Sequence, residues 1–250
     1  MIKVALLFSL AACVFLISCK DEEPQTTDPN ADQLRLEMIP TFGSEDLVLD
    51  QTYLTDEGYR IQFTDLKCYL TNLKIGTKTL ASSALFDMRE RGVTLFTKTA
   101  KPTDFVSITG YLGVTEDRNH ADPSDFATDD PLNISIANDM HWGWNPGYIF
   151  VKIEAKVDTI NDGVDDFDHL VVFHVGGDSY LQSLSFPALT WNAAGANLYS
   201  SRLELDMKKF LNNGTSSIDL KNEYSSHTAA GQEAISLKII EHFRDALGVY

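Results

Sequence analysis

The chain has 250 residues, with 36 acidic side chains against 20 lysines and arginines and a formal net charge of −16. That balance, with no basic patch, argues against nucleic acid as a partner; an acidic surface keeps a protein soluble and attracts cations non-specifically. Of three cysteines, Cys13 falls in an N-terminal apolar run and Cys19 directly after it. Only Cys68 is left, and no intramolecular disulfide is expected.

Residues 1–18 read as a secretion signal: Lys3, then an apolar run from Val4 to Ile17 too short to span a bilayer as a stable helix. Leu16-Ile17-Ser18-Cys19 resembles a bacterial lipobox, which makes Cys19 the lipidated first residue of the mature protein and the membrane its partner through acyl chains. Lys20-Asp21-Glu22-Glu23 resembles the surface-export signal of Bacteroidetes lipoproteins; the plainer reading is a solvated tether. The expected location is the outer membrane, with display on the cell surface and a TonB-dependent transporter as a candidate partner. Residues 19–32 form an acidic spacer poor in apolar side chains, expected to be disordered. Removing residues 1–18 takes away Lys3 and no acid, so the net charge goes from −16 to −17.

Residues 33–250 read as one domain in which strand signals dominate. Leu34 to Ile39 alternates, with Leu34, Leu36 and Met38 on one face. Tyr59 to Phe63 and Leu66 to Ile75 are the next strands, and Cys68 within them reads as a buried thiol. Leu85 to Asp87, Val93 to Phe96, Phe105 to Val114 and Leu132 to Ile136 follow, with one helical turn over Pro123 to Ala127. Tyr148 to Val157 and Phe167 to Val175 form a hairpin about Asn161-Asp162-Gly163. Asp162-Gly163 as a two-residue turn puts Val151 opposite His174 and sends His174 inward. A one-residue slip sends Phe173 and Val171 inward instead, and His174 to solvent. Ser201 to Met207 is the last strand. Ile235, Ile239, Phe243 and Leu247, with Leu237 and Ile240, mark a helix over Thr228 to Leu247 capped by Thr228. The expected fold is mainly β: an antiparallel β-sandwich with a C-terminal α-helix.

No Gly-x-Ser-x-Gly, His-Glu-x-x-His or phosphate loop is present, and no enzymatic activity is expected. The acidic stretch Asp158 to Asp168 lacks calcium-loop spacing, with Ile160 where a ligand belongs, and a hairpin turn accounts for it. Asp158-Thr159-Ile160 also fits an O-glycosylation sequon. The densest feature is Met140-His141-Trp142-Gly143-Trp144-Asn145-Pro146-Gly147-Tyr148. Aromatic residues gathered in this way are core material as readily as a site, but imidazole and thioether together suit copper.

This motif, together with Phe173-His174-Val175-Gly176-Gly177, Arg60 to Leu73, Phe42-Gly43 and Tyr111-Leu112-Gly113-Val114, resembles the MbnP-like copper-binding family. The resemblance implies a β-sandwich that binds copper through histidines near a sheet edge. It further implies a tryptophan oxidised to kynurenine by a MauG-like di-haem peroxidase. Carried onto this chain, His174 matches the family histidine, His227, His141 and Met140 are further candidate ligands, and Trp142 and Trp144 are the candidates for oxidation. Cys68 stands where the family has an aromatic residue. The competing reading is a metal-free surface β-sandwich lipoprotein serving as a structural or ligand-binding module.

Overall fold

The structure is a computed structural model that describes residues 28, 30–143, 146–160, 162, 164 and 166–250. Cys19, with the signal and most of the tether, lies outside the described residues, as do Trp144 and the turn residues Asn161 and Gly163. In chain order the strands are β1 (Gln33–Phe42), β2 (Glu45–Asp46), β3 (Thr52–Leu54), β4 (Arg60–Ile75), β5 (Lys78–Asp87), β6 (Thr94–Thr99), β7 (Ile108–Leu112), β8 (Ile149–Asp158), β9 (His169–Gly176), β10 (Gln182–Phe186), β11 (Asn192–Gly195), β12 (Leu198–Asp206), β13 (Ser225–Ser226) and β14 (Leu247–Val249). The helices are α1 (Glu116–Asn119), α2 (Ile134–Ala137), α3 (Met207–Leu211) and α4 (Glu233–Ala246).

Two sheets form a sandwich-like pair among the described residues. The smaller runs β11-β12-β1-β2, with β6 also on β1 and β14 also on β12; the larger runs β10-β7-β4-β8-β9-β13, with β3 and β5 on β4. The sheets are mixed rather than purely antiparallel, because β1 pairs in parallel with β12 and β13 in parallel with β9. The alternation expected in β1 holds: Leu34, Leu36 and Met38 are fully buried.

β4 organises the larger sheet. A bulge between Phe63 and Asp65 shifts the alternation by one. Ile61 and Phe63 face the sandwich interior before it; Leu66, Cys68 and Leu70 do so after it, all fully buried. The other set, Asp65, Lys67, Tyr69 and Thr71, therefore lies on the outer face. Burial pushes the Cys68 thiol well above its ordinary range, so it is inert.

That outer face is not left to solvent. Residues 113–143 and 146–148 fold over it and form a second, smaller core with Met140, Leu132, Tyr148, Tyr69 and Phe150, all fully buried. Tyr69 and Tyr148 meet edge to face at 5.6 Å, and their hydroxyls donate to the carbonyls of Pro131 and Leu132. Gly113, at φ 106°, lets this segment lie on Phe150; a Cβ there would sit 2.4 Å from the ring.

Several boundaries differ from expectation. Leu132 to Ile136 is no strand: the Asn133 side chain accepts from Ser135 N at 3.0 Å and its carbonyl from Ile136 N and Ala137 N, which starts α2. Pro123 to Ala127 is a turn, held by Asp122 accepting from Ser124 N at 2.9 Å. Helix α4 begins at Glu233 rather than Thr228, since Thr228 and Gly231 have φ of 55° and 86°. Ile239, Ile240 and Phe243 are buried as expected; Leu237 is exposed and Leu247 has already entered β14. Helix α4 closes the sandwich beside β9, with Phe243 packed on Phe210 and Phe210 on Phe173.

Candidate metal centre

The hairpin register sets the site. Val151 pairs with Val175, Lys152 with His174 and Ile153 with Phe173. This is one residue away from the register that sends His174 inward. The physical reason is burial: Val171, Phe173 and Val175 fill the sandwich interior at 2%, 0% and 0% exposure, and a phenyl ring gains more there than an imidazole. The slip does not expose His174, whose side chain is only 16% accessible.

Strand β13 explains how the histidines meet. Ser225 pairs in parallel with Val172 and Ser226 with Phe173, so His227 continues alongside His174. The two rings stand edge to face with centroids 5.0 Å apart. Three contacts hold His227 there. Thr228 Oγ1 accepts from Gly176 N at 3.2 Å and donates to the His174 carbonyl at 3.3 Å. Gln232 Oε1 accepts from His227 N at 2.8 Å. Thr228 is a β-branched residue in the left-handed region, a strain of about 1–3 kcal/mol that its two hydroxyl contacts offset.

Glu154 on β8 lies 3.0 Å from His174 Nε2. Burial raises the Glu154 pKa, but the His174 hydrogen bond and the Lys152 ammonium outweigh it and hold the carboxyl below its usual range. An ionised carboxylate only accepts, so Nε2 carries the proton and Nδ1 keeps its lone pair. For His174 burial is the largest influence, and it lowers the pKa despite Glu154. The imidazole is therefore neutral near pH 7, the form a metal requires.

Beside the histidines, in the same cross-strand row, lie Lys152 and Lys67. Lys152 Nζ contacts Asp139 at 2.5 Å, Asp65 at 3.0 Å and Glu154 at 3.3 Å. Lys67 Nζ contacts Asp139 and Asp87, each at 3.1 Å. Burial lowers the pKa of both lysines, but the carboxylates more than offset it and both end raised. Asp139 ends lowered by the two ammoniums, against burial that raises it. Four carboxylates and two ammoniums leave a surplus of negative charge beside the imidazole pair, which favours a cation there.

Trp142 packs over Gly176, two residues from His174 on the same strand face; a Cβ on Gly176 would lie 3.0 Å from Trp142 Cζ3 and 2.2 Å from the Tyr148 carbonyl. Only glycine admits the indole and the crossing backbone there. The Trp142 amide donates to the Gly147 carbonyl at 3.0 Å.

The other candidates have other neighbours. His141 meets Tyr148 edge to face at 4.6 Å and its Nδ1 accepts from Gly143 N at 3.0 Å; burial lowers its pKa. Met140 is enclosed in the second core. His120 binds Asp178 at 2.7 Å, His169 stacks on Tyr224, and His242 is 2% exposed between Ser216 and the Phe210 carbonyl. Thr159 is buried with its hydroxyl on Asp168 at 2.8 Å, so the glycosylation sequon is not presented. Among the described residues, no group of three or more His, Cys, Asp or Glu is placed to hold a metal. Sequence reading missed Glu154, Lys152, Lys67 and Asp139. The available signal was a lysine, Lys67, interrupting the apolar run from Leu66 to Leu70.

Fold and site together define a β-sandwich protein with an imidazole pair and an adjacent tryptophan on the outer face of one sheet. The chain belongs to the MbnP family, whose profile matches residues 31–229. A similar solved structure is MbnP from Methylosinus trichosporium, at 14% sequence identity and a TM-score of 0.45, covering 75% of this chain and 79% of that one. No curated protein sequence matches the chain.

Proposed function

We propose that this protein is a membrane-anchored copper-binding lipoprotein acting in metal acquisition or handling, with His174 and His227 as the ligands. The observation that carries the proposal is the in-register pair itself, with rings 5.0 Å apart and Glu154 orienting one of them. A pair of imidazoles suits Cu(I), which accepts low-coordinate nitrogen and sulfur sites. Carboxylate bonded to the far nitrogen of a ligating histidine is a common second layer of metal sites. Trp142 is the oxidation candidate that flanks the pair, and the implied modifying partner is a MauG-like di-haem peroxidase. His141 and Met140 have other neighbours and are left out of the ligand set.

The test is a Cu(I) titration of the purified protein against a competing chelator. One equivalent is expected to bind, and His174→Ala should weaken binding at least tenfold, about 1.4 kcal/mol. Unchanged affinity removes the site and leaves the metal-free reading of the sandwich. Mass spectrometry of native protein reads the second part: kynurenine replaces one carbon of Trp142 by one oxygen.

A further inference from the structure

On the other side of the molecule, the outer face of the smaller sheet carries an unusual arrangement of charge. Arg35 and Glu37 of β1 lie beside Ser200 and Arg202 of β12 in the parallel register. The Glu37 carboxylate is buried and shared: Arg35 Nε lies 2.9 Å from one oxygen, while Arg202 Nε and Ser200 Oγ donate to the other at 3.2 and 2.9 Å. Arg202 is thus hydrogen-bonded through Nε, Arg35 is ion-paired there, and among the described residues neither shows an Nη hydrogen bond to a protein partner. The triad carries one positive charge in excess.

Arg35, Ser200 and Arg202 line a pocket of about 280 Å³. It opens where the edge of β12 is left between two partners: β11 pairs with residues 198–200 and β14 with residues 203–205. Asn192 enters from β11, and Tyr250 from beyond β14, with its amide on the Arg202 carbonyl at 3.1 Å.

We propose that this pocket binds a small hydroxycarboxylate of the sugar-acid class. Arg202, held at Nε, and Arg35, ion-paired to the same carboxylate, present planar forks, which match a carboxylate bidentately. The single excess charge suits a monoanion over a phosphate dianion. Asn192 and Thr190 offer partners for hydroxyl groups, and the Tyr250 ring offers an apolar wall for a C–H face. The volume lies just below the range of about 300–1,000 Å³ typical of sites for drug-sized ligands, so one small molecule fills it.

The test is calorimetric titration of the full-length protein with D-glucuronate, D-glucose and inorganic phosphate. Saturable glucuronate binding is expected, with glucose and phosphate at least tenfold weaker. Arg202→Gln should weaken glucuronate at least tenfold while copper titration stays unchanged. Arg202→Lys keeps the charge and loses the fork, and should weaken it as well; Asn192→Ala, outside the triad, does so without disturbing Glu37. No saturable binding, phosphate or glucose binding as tightly as glucuronate, or full affinity in a folded Arg202 variant overturns the proposal.

Discussion

His174 shows how one residue's surroundings decide its chemistry. Its pKa is depressed by burial, so folding favours the neutral ring. That contribution to stability is complete above the unfolded value, about pH 6.5, and is lost as pH falls through the lower folded value. His141, also depressed by burial, acts in the same direction. Copper affinity should therefore be flat above about pH 6.5 and fall on further acidification. Asp139 and Glu154 give a separate loss, below about pH 4, where depressed carboxylates finally protonate. Glu154→Gln removes the charge that supports protonation of His174 and keeps an acceptor. NMR titration should show the His174 ring titrating at still lower pH, with copper affinity reduced about 10–100-fold. An unmoved His174 titration would mean that Glu154 has no electrostatic hold on the ring.

At the scale of elements, the loop carrying Trp142 and the segment carrying His227 are held by different devices. Asp139, three residues before Trp142, bridges Lys67 and Lys152 and pins the loop to the sheet. Asp139→Asn leaves two nearly buried ammoniums short of a counter-charge. The expected result is red-shifted tryptophan emission and faster proteolysis between residues 138 and 148; a wild-type emission spectrum would show that the second core alone holds the loop. His227 depends instead on β13 and α4. Deleting residues 228–250 removes Ile239, Ile240 and Phe243 from the core, at roughly 1.5–3 kcal/mol per buried side chain, and should abolish both folding and copper binding. His227→Ala should keep the wild-type melting temperature and lose affinity only. Full affinity in that variant would assign α4 a purely structural role.

For the whole molecule, the two outer faces differ in charge. The larger sheet offers an imidazole pair beside an excess of carboxylates, and the smaller sheet offers guanidiniums in excess of one carboxylate. A ligand that binds only the folded state stabilises it by mass action, by about 2.7 kcal/mol at a free concentration one hundred times Kd. Adding Cu(I) should raise the melting temperature of the wild type, a chelator should reverse the rise, and His174→Ala should show neither effect.

Local chemistry made much of this molecule legible in advance. Alternation exposed the inward faces of β1 and β8, four-residue spacing exposed α4, and from the cluster around Met140 the fold brings Trp142 over Gly176. These are properties of neighbours in the chain, set by the periods of strand and helix. The register of β9 was decided elsewhere. The turn favoured one alignment, and the interior took the other because it buried Phe173. The same holds for the outer face. Nothing local distinguishes Lys152, which is nearly buried, from Lys156, which is exposed; the difference is Asp139, brought over the sheet from a distant loop. His174 and His227 are 53 positions apart in the sequence. Only the parallel pairing of β13 with β9 sets them side by side, because in-register parallel strands put matching side chains on one face.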